Sequence, residues 1–90
     1  MKAVRLSTHA RDRAAQRGAT EEDVVAAVSE GQWRPADRGR MEAEKAFPYD
    51  ADWNGKQYKI KRVRPIFVEE EQTVVVVTVY VYYQDEEVAQ

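Results

Sequence analysis

The chain has no cysteine and one histidine, His9. Disulfide staples and thiolate zinc sites are therefore excluded, and one imidazole among scattered acids makes no recognisable zinc or calcium site. Glycine and proline are sparse, four and three residues respectively, and no glycine-rich phosphate loop or nucleophile motif is present. No stretch approaches the ~20 apolar residues that span a membrane, and the opening MKAVRLSTHARD lacks the apolar run of a signal peptide. The expectation is a cytoplasmic protein with no membrane attachment and no cofactor.

What is present suits one small domain. Ninety residues lie near the lower limit for an independent core. The charged fraction is high, at 33%, but both signs are mixed, so general disorder is not expected. The formal net charge of -2 conceals segments of opposite sign. Residues 1–18 and 31–62 are basic, whereas 19–30 and 63–90 are acidic. The acidic segments weigh against a nucleic-acid ligand, because such binders usually present a basic surface. Residues 1–85 are expected to form the domain and 86–90 an acidic, frayed tail.

Lys2–Leu6 alternates polar and apolar residues, as a short edge strand would. Ser7 or Thr8 then offers an N-cap, and Gly18 follows the helix as its C′ residue. In TEED, Thr20 and Asp23 predict a capping box for a second helix, which buries Val24, Ala27 and Val28 and stops at Gly31. Residues 40–49 read as extended, and Asn54–Gly55 is a strong hairpin-turn signal. Gln57–Val63 alternates, with Lys59 and Lys61 on a face read as solvated and Pro65 marking a bulge or break. TVVVVTVYVYY, residues 73–83, has the composition of a central strand. Together these predict an α+β domain: two N-terminal helices on a twisted antiparallel sheet of three to four strands.

His9, Arg13 and Arg17 recur at helical spacing. At about 100° per residue, both arginines fall within the arc of Leu6, Ala10 and Ala14 rather than opposite it. Five fixed donors on each guanidinium require partners there. Two readings stay open at this point. The arginines tie the helix to Glu42, Glu44 or backbone carbonyls, or they hold a phosphate beside His9, whose imidazole can act as acid or base. A second basic run, KQYKIKRVR, brings Lys59 and Arg62 close to Tyr58, and Thr78, Tyr80 and Tyr82 share one strand face.

The segment LSTHARDRAAQRGATEEDVVAAVSEG, followed by WNGKQYKIKRVRPIFVEEEQTVVVVTVYVYY, resembles the bacterial domain family DUF4258. Ser7, His9, Arg13, Arg17 and Gly18 match its Ser-x-His-x-x-x-Arg-x-x-x-Arg-Gly pattern, and Thr78, Val79 and Tyr80 match its terminal strand. The likeness covers roughly residues 5 to 83. That family is considered similar to RelE-type and BrnT-type toxins, which implies helices on a four-stranded antiparallel sheet and metal-independent RNA cleavage. The resemblance makes His9 the acid or base and Arg13, Arg17 and Arg62 the phosphate binders; the basic run and the tyrosine face add Lys59 and Tyr80 as substrate-binding candidates. The partners so implied are RNA, an antitoxin protein and, from the exposed-edge potential of the last strands, a second copy of the chain. The alternative is a non-enzymatic interaction domain in which the His/Arg stripe is structural.

Overall fold

A computed structural model describes residues 2–85. The chain forms β1 (Ala3–Leu6), α1 (Thr8–Gln16), α2 (Glu21–Glu30), β2 (Arg34–Pro35), a 3-10 turn (Asp37–Gly39), β3 (Met41–Glu42), β4 (Lys45–Trp53), β5 (Lys56–Glu69) and β6 (Thr73–Gln84). The strands make one six-stranded sheet in the order β1-β6-β5-β3-β2, with β4 also paired to β5. The tail expected at 86–90 lies outside the described residues.

This overturns the expected RelE/BrnT-like arrangement of leading helices on three to four antiparallel strands. A strand precedes the helices, six strands are present, and the sheet is mixed because β1 runs parallel to β6, with Ala3 opposite Thr73 and Leu6 opposite Val76. Parallel neighbours need a long crossover, and α1 and α2 lie within the connection between these two. The stretch expected as one strand over 40–49 divides at Ala43–Glu44 into β3 and β4, both paired with β5.

The helices begin and end for local reasons. Ser7 Oγ accepts from the Ala10 N–H at 3.1 Å to start α1. At α2, Thr20 Oγ1 and the Asp23 carboxylate each accept the other residue's N–H at 3.0 Å, a complete capping box. The hairpin between β4 and β5 turns on Asn54 and Gly55, both at positive φ (53° and 86°), as its tight turn requires. Pro65 sits inside the continuous β5, opposite Val79 of β6. Its carbonyl accepts from Ala43 N–H at 3.3 Å, so its missing donor faces the irregular β3–β4 junction and not β6. The register shift lies next to it, between Ile66 and Phe67.

Period-two alternation assigns the faces of β5 and β6. Val63, Pro65 and Phe67 stand opposite Val81, Val79 and Val76 and pack under Ala10, Ala14, Val24, Ala27 and Val28 of the helices. Small alanines let α1 lie close to β6. Each fully buried valine or phenylalanine contributes about 1.5–3 kcal/mol. Trp33 closes one end of this core, edge-on to Phe67 at 4.8 Å and donating to the Val28 carbonyl at 2.8 Å.

Lys61 departs from the solvated face expected for it: it is 8% exposed. Its ammonium donates to Asp23 Oδ2 at 2.8 Å and to the Gly18 carbonyl at 3.1 Å, beneath the joint between α1 and α2. The Phe47 and Tyr49 rings lie 5.9 and 5.6 Å away. Tyr83 donates to the Arg17 carbonyl at 2.6 Å and stacks on Trp53 at 5.0 Å. Burial, with help from Tyr49 and Asp23, pushes the Tyr83 phenol up to about 12. Burial also works against ionisation of Asp23, but its bonds to Lys61 and Thr20 outweigh this and hold the carboxyl below its ordinary value.

Two predictions follow from this joint. Gly18 has φ +83°, and a methyl there would meet Trp53 at 2.8 Å, whereas Gly55 (φ +86°) faces open space. Gly18→Ala should therefore cost about 2–4 kcal/mol in denaturant unfolding, from strain plus overpacking, and Gly55→Ala only about 1–2 kcal/mol. Because the folded-state pKa of Asp23 is depressed, its contribution is complete above the ordinary carboxylate pKa and is lost as pH falls through the lowered one. Melting temperature should fall with acid over that range, and Asp23→Asn should lower it at neutral pH while flattening the acid limb.

Candidate functional site

The two faces of the sheet differ. Beneath the helices it is apolar apart from the buried, paired Lys61. The other face of β5 and β6 places Arg62 opposite Tyr82, Arg64 opposite Tyr80 and Ile66 opposite Thr78. Tyr80 and Tyr82 are 40% and 41% exposed, the large apolar side chains most open to solvent among the described residues.

These residues form a ladder of cations and rings. The Arg17 guanidinium lies 5.3 Å from the Tyr80 ring centroid, and Arg64 lies 5.4 Å from Tyr80 and 5.1 Å from Tyr82. Arg64 Nη2 also donates to the Tyr82 hydroxyl. Its buried Nε has no partner. Arg62 is held more firmly, by Gln84 Oε1 at 2.7 Å and Glu44 Oε2 at 3.3 Å. A recess of about 520 Å³ opens here, floored by Arg64, Ile66, Thr78 and Tyr80 and walled by the turn that carries Asp37, Arg38 and Arg40. Arg38 holds a left-handed conformation (φ 63°), uncommon for a residue with a side chain.

The residues singled out in the sequence do not converge on one point. Arg17 and Tyr80 meet. Arg17 also donates to the Val79 carbonyl at 2.6 Å, on the side of β6 that β1 leaves uncovered beyond Val76. Arg13 reaches no sheet residue; it donates to Gln16 Oε1 at 3.0 Å. His9 is exposed in the first turn of α1, and its side chain makes no hydrogen bond among the described residues. Lys59 is exposed on β5, towards the Asn54–Gly55 turn and apart from the ladder. Sequence reasoning missed Arg38 and Arg40; Arg64 was read only as part of the basic run KQYKIKRVR and not as a partner of Tyr80. The alternation of Arg62 and Arg64 with Tyr80 and Tyr82 was visible, but only the β5–β6 register sets them side by side. No group of three or more metal-capable side chains occurs among the described residues, and none of their helices is long and apolar enough to cross a membrane.

A mixed sheet with both helices over one face and an arginine–tyrosine ladder on the other defines the class of domain. Within it, a family model described as a domain of unknown function (DUF4258) matches residues 6–81, and the chain belongs to that family. No curated protein and no solved structure matches the chain.

The contrast between the two arginines of α1 is measurable. Arg17→Met keeps an apolar stem but removes the donor to Val79, and should cost about 1–2 kcal/mol in denaturant unfolding. Arg13→Ala should stay within about 0.5 kcal/mol of the parent. Equal losses at both positions would contradict this division of labour.

Proposed function

We propose that this chain binds single-stranded RNA across the helix-free face of its sheet, with Tyr80 and Tyr82 as stacking surfaces and Arg64 as the central cation. The observation that carries this reading is the Arg17–Tyr80–Arg64–Tyr82 ladder on the face of the sheet that the helices leave open. Exposed rings take bases of any sequence, each stacked base contributing about 1–3 kcal/mol, while adjacent guanidinia meet the phosphates. The ladder also answers the acidic net charge, because the attraction is concentrated on one face.

Arg17 fixes Tyr80 in this reading: Nη1 is held by the Val79 carbonyl, and the other N–H groups remain for a phosphate. His9 is the candidate for metal-independent cleavage. Its imidazole would take the proton of a ribose 2′-hydroxyl as that oxygen attacks phosphorus; the bond from phosphorus to the 5′-oxygen breaks, the imidazolium or water protonates that oxygen, and a 2′,3′-cyclic phosphate remains. The competing reading, a non-enzymatic interaction domain for an antitoxin or a second copy, draws on the same Arg17–Val79 bond as a structural clamp.

Fluorescence anisotropy with a short labelled single-stranded RNA decides between them. Binding should weaken with salt with a log–log slope of about -2, for roughly three phosphates neutralised. Tyr80→Ala should weaken it about tenfold without altering the melting temperature. Incubation in EDTA should yield cyclic-phosphate ends that His9→Ala abolishes; binding without cleavage would remove the enzymatic part. No binding at low salt would favour the interaction domain.

A further inference from the structure

We infer that the recess beside the ladder is a site for a phosphate monoester of a nucleotide, whether free or at the end of an RNA strand. The inference rests on the nucleic-acid reading above and narrows it to a ligand with a doubly charged terminus.

Three arginines line this recess, Arg38, Arg40 and Arg64. Of the two acids beside them, Glu42 is already paired with Arg34 at 2.9 Å, which leaves Asp37 as the only carboxylate not so neutralised. The surplus suits a monoester, which carries about -1.5 to -2 charges near neutrality, better than the single charge of an internal diester. Arg64 supplies the second observation. Its Nε is buried and unpartnered, and the Tyr80 and Tyr82 rings flank the guanidinium. Nη2 donates to the Tyr82 hydroxyl, and the other terminal N–H groups of the guanidinium are the donors from which an oxygen of a bound anion would accept.

The wall is built for a fixed position. Arg38 and Gly39 both have positive φ, 63° and 72°. The turn is closed by Ala36 N–H donating to the Arg40 carbonyl at 2.8 Å and Arg40 N–H to the Asp37 carbonyl at 3.3 Å. A left-handed arginine persists only where its surroundings impose it, and such residues concentrate at ligand clamps. Tyr80 forms both the edge of the recess and a rung of the ladder, so a nucleoside stacked there would carry its phosphate towards the arginines.

The test titrates the folded protein, isotope-labelled for NMR, with adenosine monophosphate and with adenosine. It also compares competition by a short RNA bearing a 5′-phosphate with the same strand bearing a 5′-hydroxyl. The nucleotide should bind at least about tenfold more tightly than the nucleoside, as expected for charge-assisted bonds to the anion. Arg38→Gln combined with Arg40→Gln should erase that difference, and Arg40→Lys alone, which keeps charge but loses the fork, should reduce it. A preference for the phosphorylated strand assigns the site to strand ends, and nucleotide binding without any strand binding assigns it to free nucleotides and removes the RNA reading. Equal binding of nucleotide and nucleoside overturns the recess even if both strands bind, in which case the open-face reading survives. Binding of neither nucleotide nor strand overturns both.

Discussion

Lys61 is a cation buried under the joint between two helices, and much of the structure is arranged to satisfy it. A buried ammonium must find a carboxylate and further acceptors or its desolvation is uncompensated. Asp23 and the Gly18 carbonyl provide them. Asp23 can serve only because the capping box holds it at the start of α2, and the Gly18 carbonyl only because the chain turns there at positive φ. The Tyr83 hydroxyl takes the preceding carbonyl of the same joint, that of Arg17. Two strand side chains thus engage two successive carbonyls and fix where α1 ends and α2 begins relative to β5 and β6. The ion pair itself need not add much net stability, since burial offsets attraction. What it does is specify one docking of the helices.

Docking both helices over one face leaves the other face of the same strands uncovered. In β5 and β6 the apolar positions face the helices, and the intervening positions carry Arg62, Arg64, Tyr80 and Tyr82. No separate element has to be added to display the ladder, because strand alternation generates it from the core pattern. Arg17 connects the two sides: its stem leaves α1, its donor occupies a β6 carbonyl, and its plane lies near a ring on the far face.

Local features were legible because their physics is local. Ser7, Thr20 with Asp23, and Asn54–Gly55 act through hydrogen bonds or φ preferences spanning a few residues, so their order in the chain suffices to read them. The sheet was read less well. The parallel pairing of β1 with β6 joins residues about seventy apart, and two-residue strands such as β2 and β3 have no period to detect. Lys61 was misread for a related reason. Alternation places it with Val63 on one face, but which face is buried depends on where Asp23 docks. The same dependence hid Arg38 and Arg40, which share a recess with Arg64 only after the 3-10 turn comes to stand beside β5 and β6.

The His/Arg stripe then separates into residues with different physical obligations. Arg17 is half-buried, with a donor fully committed to a backbone carbonyl; its displacement by a ligand would have to offset a bond of charge-assisted strength. Arg13 and His9 carry no such commitment to the sheet. Helical spacing alone treats the three as one unit, whereas their partners do not. On the other face of the sheet the cations stand together instead: Arg38, Arg40 and Arg64 line one recess beside Tyr80. Of the stripe only Arg17 reaches the ladder, lying against the Tyr80 ring, while Arg38, Arg40 and Arg64 come from elsewhere in the chain.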